Sequence, residues 1–304
     1  MKIKIMALLL LPVFLCGCCV KGDYTEPENL TVVTALAIAK NENEYKLTAE
    51  ITTATAEGKS KTDTIIGSGG DILGALGEVQ RLSNGKLFLN QCPVVIFDTS
   101  LVGEDLKNSL LFFFEQNTLP LSVSFMVCQN TDGLFEESKR ETPLGYDAIQ
   151  LLQNDSTSLG ITENESYVQL IDKIQNGKTA FSLPLLQKGE SAEYIAGICL
   201  YENFVNTQYL GINDAQLLFA VLNRLNSCCL TTQNTTLFIK KANCKNNLLK
   251  LTVKGKYQNR KETQDSIEND ILRVCGYTNV RSWAKACKVS LPEKIKVKIS
   301  EDTL

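Results

Sequence analysis

The sequence predicts an α+β fold in which mixed β-sheets are flanked by helices and the chain forms more than one domain. Apolar and polar residues alternate over Tyr45 to Thr53, the period of a strand with one buried face. Apolar residues recur at helical spacing from Tyr167 to Ile174. A buried-strand pattern at Pro93 to Phe97, a helix pattern at Leu101 to Phe114 and a strand pattern at Ser122 to Cys128 follow one another. This order is typical of a sheet covered by helices.

The N-terminus has the pattern of an export signal. Lys2 and Lys4 precede an apolar stretch from Ile5 to Leu15, which is followed by small residues and cysteines. A membrane-spanning helix needs roughly 18 to 20 apolar residues, and Lys21 arrives before that length is reached. Residues 1–17 are therefore predicted to be a signal peptide that is removed.

The motif Leu15-Cys16-Gly17-Cys18 resembles the lipobox of bacterial lipoproteins. In a lipobox the cysteine thiol receives a diacylglyceryl group and becomes the new N-terminus. Cys18 is the predicted lipidation site, because the small Gly17 precedes it, whereas Cys16 and Cys19 follow larger residues. Residues 18–29 would then be a tether holding the protein on a membrane. The alternative is a plain secretory signal with cysteines nearby.

The elements after the tether are predicted in chain order. Leu30 to Ala39 and Tyr45 to Thr53 form a hairpin. The Gly-rich turn Gly67 to Gly70 opens a helix from Asp71 to Leu82, with Ser68 and Asp71 resembling a capping box. Neither a dinucleotide-binding nor a P-loop pattern is present at this turn, so a nucleotide site is not expected.

Further elements extend to the C-terminus. After the strand, helix and strand between Pro93 and Cys128, a helix ends near Gly177, and Leu183-Pro184-Leu185 is predicted to begin a loop. The change in pattern at residue 192 divides an N-terminal region, 30–191, from a C-terminal domain, 192–304. The elements predicted in the second region are a strand to Tyr201, a short strand to Leu210, a helix from Asp214 to Asn223, strands Leu237 to Lys240 and Leu248 to Val253, a helix from Ser266 to Cys275, and a strand from Ile295 to Ile299.

Composition limits the chemistry. The chain has 304 residues and no histidine, which removes the common serine and cysteine hydrolase arrangements. Beyond Cys18, outside the predicted signal peptide, the cysteines include no Cys-x-x-Cys pair, so a structural zinc site is not expected. The sequence therefore predicts no enzyme, with no catalytic, cofactor-binding or metal-binding residues.

Cysteines are numerous for an exported protein, with eleven in the chain. Several, including Cys92, Cys128 and Cys199, lie within apolar runs, where a thiol behaves as a small hydrophobe. A set of disulfides remains an alternative to reduced thiols.

Charge is distributed unevenly. Residues 240–304 hold 15 Lys and Arg against 7 Asp and Glu, whereas the whole chain has a net charge of −3. A basic end on an acidic body could meet an anionic membrane or an acidic partner. The alternation of Lys250, Lys254, Lys294, Lys296 and Lys298 favours the simpler interpretation, a solvated sheet face.

The lipobox is followed by the strand Thr31 to Lys40, then by Gly70 to Leu82 and Val94 to Phe97. This order of segments resembles that of the Ger(x)C, or GerAC-like, spore-germination lipoproteins. It extends to Gly197 to Tyr201 and to Trp283 before the last strand. The C-terminal domain is shorter than is usual in that family.

The resemblance implies a non-catalytic C subunit of a nutrient germinant receptor. Such subunits are lipid-anchored on the outer face of the spore inner membrane, beside integral-membrane A-type and B-type subunits, and support receptor assembly and signalling. The expected partners are therefore the membrane and these two subunits, with no nucleic acid and no cofactor. Alternatives are a solute-binding lipoprotein of a membrane transporter and a histidine-free envelope enzyme.

Overall fold

The computed structural model describes residues 29–54, 60–135, 142–158, 166–189, 193–225, 227–232, 236–254 and 259–301. The predicted signal peptide, Cys18 and the tether up to residue 28 lie outside these ranges. The described chain forms a nine-stranded sheet and a four-stranded sheet with helices packed against both.

The larger sheet is mixed. Its strands are β1 (Leu30–Asn41), β2 (Glu44–Ala54), β3 (Ser60–Gly69), β4 (Lys86–Phe88), β5 (Val94–Asp98), β6 (Ser124–Cys128), β7 (Ala180–Lys188), β8 (Glu193–Glu202) and β9 (Val205–Gly211). Their order is β3-β2-β1-β5-β6-β7-β8-β9, with β4 pairing the start of β1. Strands β1, β5, β6 and β7 run parallel, and antiparallel strands extend the sheet at each side.

The second sheet follows in the chain and has the order β10-β11-β12-β13. Its strands are β10 (Cys228–Thr231), β11 (Thr236–Lys245), β12 (Leu248–Lys254) and β13 (Lys296–Glu301). The described helices are α1 (Ile72–Leu82), α2 (Glu104–Gln116), α3 (Thr131–Leu134), α4 (Leu144–Ser158), α5 (Tyr167–Gln175), α6 (Ile212–Val221), α7 (Arg260–Gly276) and α8 (Thr278–Ala286). The predicted α+β class with mixed sheets and flanking helices is confirmed.

Two apolar cores lie on opposite faces of the nine-stranded sheet. One contains residues of α1, α2 and α5. The other contains residues of α3, α4, α6, α7 and α8, and also the buried face of the four-stranded sheet. Alternate residues of β1 enter the two cores, as Leu36 and Ala37 do. The two sheets therefore share one core, with helices between them.

The predicted hairpin of β1 and β2 is confirmed, with the two strands antiparallel. The interpretation of β2 as half-buried is wrong in its middle, because Thr48 and Glu50 on its polar side are each only 3% exposed. Helix α4, which the sequence analysis did not predict, packs against β1 on this side of the sheet.

The Gly-rich stretch before α1 is the end of strand β3 and not a turn. A Cβ atom at Gly67 would lie 2.5 Å from the carbonyl oxygen of Ala75, and one at Gly69 would lie 2.5 Å from the amide nitrogen of Ala75. Glycine is required here because the backbone of α1 lies directly on the strand. The helix is capped by Asp71, whose carboxylate accepts the Gly74 amide at 2.7 Å, and not by Ser68.

The loop predicted at Leu183-Pro184-Leu185 is also wrong, because these residues lie within β7. Proline lacks an amide hydrogen and is poorly tolerated inside a sheet. The pairing of β7 with β6 is limited to Val127 and Leu185, so Pro184 interrupts little of that ladder.

The predicted boundary at residue 192 falls between β7 and β8, which pair with each other in the larger sheet. Strands β8 and β9 therefore continue the nine-stranded sheet, and the change from one sheet to the other comes after Gly211. The division into domains at residue 192 stays a prediction.

The lysines predicted to line a sheet face are exposed on β12 and β13. Leu249, Leu251 and Val253 of β12 are buried, whereas Lys250 and Lys254 between and after them are exposed. The same alternation occurs in β13. The predicted exposure is confirmed for the lysines of these two strands.

Carboxylates of this chain bind backbone amides on the outermost strands. On β3, the Thr64 amide donates to Asp63 at 2.9 Å and the Ser68 amide donates to Glu78 at 2.7 Å. On β13, the Val297 amide donates to Glu268 of α7 at 2.6 Å. The Arg260 guanidinium donates to the carbonyl oxygen of Ile299 on the same strand. Some backbone hydrogen-bonding groups on edge strands of both sheets are therefore paired with side chains.

Within the described part of the chain, no helix is both long and apolar enough to span a membrane.

Candidate functional site

The sequence predicts one site residue, Cys18, and it lies outside the described residues. Among the residues that the structure describes, no group of three or more His, Cys, Asp or Glu side chains could hold a metal ion.

A groove of about 310 Å³ lies on one face of β2 and β3, beside α3. It is lined by side chains of mixed character: Lys46, Thr48, Thr64, Ile66, Asp132 and Phe135. Thr48 and Ile66 are register partners on the two strands, and Ile66 remains 48% exposed. The Lys46 ammonium forms an ion pair with Asp132 at 2.8 Å across the groove.

Helix α3 is held in place by contacts with two neighbouring strands. The Thr131 amide and hydroxyl donate to the Asp98 carboxylate at the end of β5, at 3.1 and 3.3 Å. Lys188 at the end of β7 donates to the carbonyl oxygen of Gly133 at 2.9 Å. The wall of the groove that carries Asp132 is therefore fixed by the carboxyl ends of β5 and β7.

The chemistry of the groove is that of binding. Its lining offers one ion pair, two threonine hydroxyls and two apolar side chains, and these six residues include no nucleophile paired with a general base. The volume is at the lower end of the range for small-molecule sites. Such a groove suits a small amphiphilic ligand or a side chain of a partner protein.

The side chain of Glu50 organises the same side of the sheet from within the core. Its carboxylate accepts the Thr34 hydroxyl at 2.7 Å and the amides of Leu144 and Gly145 at 2.7 and 3.2 Å. These two amides begin α4, where backbone N–H groups lack partners within the helix. The negative charge is also favourable at a helix N-terminus. Glu50 therefore fixes the start of α4 on the sheet.

Gly145 allows this approach. A Cβ atom there would lie 1.7 Å from the carbonyl oxygen of Thr34, so any larger residue would push α4 away from β1. The sequence analysis missed Glu50, because its position in β2 has the alternation of a solvent-facing side chain. No signal in the sequence pairs it with residues 94 and 95 positions later.

A second polar contact joins the β1–β2 hairpin to α2. The Asp105 carboxylate accepts hydrogen bonds from the Lys40 ammonium and the Tyr45 hydroxyl, each at 2.7 Å. The hydrogen bond from Lys40, followed by that from Tyr45, lowers the pKa of Asp105. Burial, followed by the hydrogen bond to Asp105, raises the pKa of Tyr45 to about 12. All three groups are thus engaged in a structural contact.

The eight cysteines in the described ranges are free thiols. Cys92, Cys199 and Cys228 are fully buried, and burial raises the pKa of each to about 12. Burial also raises the pKa of Cys275 to about 11. A thiol needs its ionised form to act as a nucleophile or metal ligand, so these four behave as core side chains.

Helix α8 is attached to the larger sheet through Trp283, the single tryptophan of the chain. Its side chain is 1% exposed, and its indole N–H donates to the carbonyl oxygen of Phe181 in β7 at 3.0 Å. Ser282 donates to the Glu202 carboxylate of β8 at 2.7 Å, and Asn279 donates to the carbonyl oxygen of Thr207 in β9 at 2.7 Å. One face of α8 therefore binds three successive strands of the larger sheet.

These features define a two-sheet α+β protein whose described surface offers binding chemistry. A family model described as "Spore germination protein N-terminal domain" matches residues 23–188. The chain belongs to this spore germination family, which confirms the family predicted from the sequence. The match ends at Lys188, the last residue of β7.

The crystal structure of the GerBC protein aligns with a TM-score of 0.45 and 12% sequence identity, covering 88% of this chain and 95% of that chain. No curated protein matches the sequence.

Proposed function

We propose that this chain is the C subunit of a nutrient germinant receptor, attached to the membrane by a lipid on Cys18. In this role it acts as a binding subunit that supports assembly and signalling beside integral-membrane A-type and B-type subunits. In the spore it lies on the outer face of the inner membrane.

The observation that carries this proposal is the family match, which covers residues 23–188. It begins shortly after Cys18, where the lipobox-like motif predicts the mature N-terminus. A tether of this kind raises the effective concentration of the protein at the membrane, so that modest contacts with partner subunits suffice.

A non-catalytic role is supported by the chemistry of the described side chains. The groove beside α3 combines an ion pair with hydroxyl and apolar groups, and four buried thiols have raised pKa values. These groups suit contacts and packing better than bond cleavage.

The alternative of a solute-binding lipoprotein is less well supported. That class is built from two similar lobes that enclose a ligand, whereas the sheets here have nine and four strands in different orders. The groove beside α3 also lies on one sheet and not between the two.

The lipid anchor is tested by changing Cys18→Ala, with Cys19→Ala and Cys16→Ala as matched controls in the same motif. We expect the first variant to leave the membrane fraction, or to stay as an uncleaved precursor without lipid, while the controls remain lipidated. Mass spectrometry of the N-terminal peptide identifies the acyl chains. A lipidated N-terminus in the Cys18→Ala variant would contradict the assignment.

The receptor role is tested by purifying the tagged full chain from spore inner membranes and identifying the proteins that accompany it. We expect two integral-membrane subunits of germinant-receptor type at defined stoichiometry. Recovery of an ATP-driven transporter would instead favour the solute-binding alternative. Recovery of neither from spores that contain the tagged chain would contradict the receptor role.

A further inference from the structure

The four-stranded sheet carries six lysines on its open face. They come from three neighbouring strands and are all exposed: Lys241 and Lys245 of β11, Lys250 and Lys254 of β12, and Lys296 and Lys298 of β13. We call this set the basic face. The strand registers place them together, because Lys245 lies opposite Leu248, Leu248 lies beside Lys296, and Lys250 lies beside Lys298.

Nothing in the described chain neutralises the basic face. None of the six lysines forms an ion pair with another described residue. The positions between them are neutral, as at Asn243 and Thr252. Lys250 and Lys298 are direct neighbours across two strands, an arrangement that is unfavourable for like charges. The charge is therefore available to a partner outside this chain.

The opposite face of the four-stranded sheet is buried. Leu249, Leu251 and Ile299 are each 0% exposed and belong to the core shared with the larger sheet. The basic face thus points away from the nine-stranded sheet and forms an outer surface of the molecule.

We propose that the basic face docks on the anionic headgroups of a lipid bilayer, so that the protein lies against the membrane with its four-stranded sheet downward. Lysines on alternate residues of a strand are about 7 Å apart, and neighbouring strands are about 4.8 Å apart. A flat array of like charges with flexible stems fits a planar surface whose anionic lipids diffuse to match it. Lysine is suited to this contact, since its ammonium group acts as a compact point charge.

The predicted tether is short enough to keep the protein near the lipid surface. The inference rests on the proposed anchor at Cys18, and the eleven residues from 18 to 28 extend to at most about 40 Å. The body therefore stays close to the lipid surface. Each lysine near an anionic surface strengthens attachment about fivefold, and the effect decays within a Debye length of about 10 Å at 0.1 M salt.

The experiment uses the full lipidated chain reconstituted on vesicles of phosphatidylcholine alone, or of phosphatidylcholine mixed with phosphatidylglycerol. A water-soluble active ester acylates exposed lysines, and mass spectrometry gives the rate at each one. We expect the lysines of the basic face to react at least about fivefold more slowly on the anionic vesicles. The exposed Lys86 and Lys178 on the larger sheet side should react equally on both. The difference should disappear at about 1 M salt, where the Debye length is about 3 Å.

Two variants with the same change in net charge test whether the position of the lysines matters, and not only the total charge of the protein. The first carries Lys250→Gln, Lys254→Gln, Lys296→Gln and Lys298→Gln. The second carries Lys86→Gln, Lys178→Gln, Lys261→Gln and Lys288→Gln, all exposed and outside the basic face. We expect protection of the remaining Lys241 and Lys245 to be lost in the first variant and kept in the second.

Other outcomes would overturn the proposal. Equal acylation on the two vesicle types at low salt would show that the face does not touch anionic lipid. Protection without vesicles that increases with protein concentration would identify a second copy of the chain as the occupant.

Absence of the proposed lipid on Cys18 would give a different result in the vesicle experiment. Wild-type protein released from both vesicle types at about 1 M salt would contradict lipidation. In that case, sedimentation with phosphatidylglycerol vesicles alone at low salt would still support the basic face, and its absence would overturn it.

Discussion

The two sheets differ in how many of their faces are covered. The nine-stranded sheet has helices on both faces, with α1, α2 and α5 on one and α3, α4, α6 and α8 on the other. The four-stranded sheet buries one face in the shared core and leaves the other open. Thr48 and Glu50 of β2 are therefore inside the protein, whereas Lys250 and Lys254 of β12 are in solvent.

The sequences of β2 and β12 do not predict this difference in burial. In both strands every second residue is polar, with Lys46, Thr48 and Glu50 in one and Lys250, Thr252 and Lys254 in the other. Glu50 is nevertheless 3% exposed and hydrogen-bonded to the start of α4, while Lys250 is exposed. A period of two identifies a strand and its apolar face, but it does not show whether the second face is covered.

Removing the Trp283 side chain, which attaches α8 to the larger sheet, should have the largest effect. We expect Trp283→Ala to lower the free energy of unfolding by about 3–5 kcal/mol, because it leaves a cavity in the shared core and an unpaired Phe181 carbonyl. Hydrogen exchange should rise first in α8, since this helix loses its attachment to β7. Urea unfolding followed by circular dichroism measures the change.

Trp283→Phe is the control for this prediction. It keeps most of the apolar contact and loses only the indole N–H, so a cost of about 1–2 kcal/mol is expected. Unchanged hydrogen exchange in α8 of the Trp283→Ala variant would show that Trp283 does not hold this helix on the larger sheet.

Removing the buried carboxylate should have the next largest effect. We expect Glu50→Ala to cost about 2–4 kcal/mol, since it leaves the Leu144 and Gly145 amides without partners. Thr34→Val removes only the hydroxyl donor to Glu50 and should cost about 1–2 kcal/mol. The fluorescence of the single tryptophan during urea unfolding measures both. A neutral Glu50→Ala variant would contradict the role of Glu50 in starting α4.

Two adjacent cysteines of β10 report the covered and open faces of the small sheet. Cys228 is 0% exposed with a pKa raised by burial to about 12, whereas Cys229 is partly exposed and lies opposite the exposed Phe238. We expect iodoacetamide to alkylate Cys228 in the native protein at least about a hundredfold more slowly than Cys229. In denaturant the two rates should converge. Similar native rates would mean that the small sheet opens readily.

The smallest expected effect is a gain in stability on the open face. Lys298→Glu places a carboxylate beside Lys250 and should stabilise the protein by about 0.2–1 kcal/mol. Lys178→Glu, at an exposed site outside the sheet, should change stability by less than about 0.5 kcal/mol. A loss of stability in Lys298→Glu would show that the two lysines are not the close neighbours that the register places together.

The fold class and the family were predictable because they depend on local patterns in order along the chain. The β1–β2 hairpin and helices α1 and α5 follow from periods of two and 3.6 residues with clear boundaries. Strand β3 was missed because its residues are mostly polar. Helix α4 was missed because it contains Gly145 near its start and depends on Glu50, far away in sequence.

The candidate sites also differ in whether a local sequence pattern predicts them. Cys18 was predicted from a local motif and stays a prediction, because it lies outside the described residues. The groove beside α3 could not be predicted, since Thr48, Ile66 and Asp132 come from three separate elements. The alternating lysines were visible in the sequence, but only the strand registers place six of them on one face.

The carboxylates bound to the outermost strands bear on how copies of the protein behave when they are close together. An unpaired strand at the edge of a sheet is a template for the strand of a neighbouring molecule, and the proposed lipid tether would make such encounters frequent. Asp63 and Glu78 occupy amides of β3, and Glu268 occupies an amide of β13. An incoming strand would first have to displace these charged acceptors. These carboxylates therefore disfavour cross-β association between copies, even at the high local concentration that the proposed tether would produce.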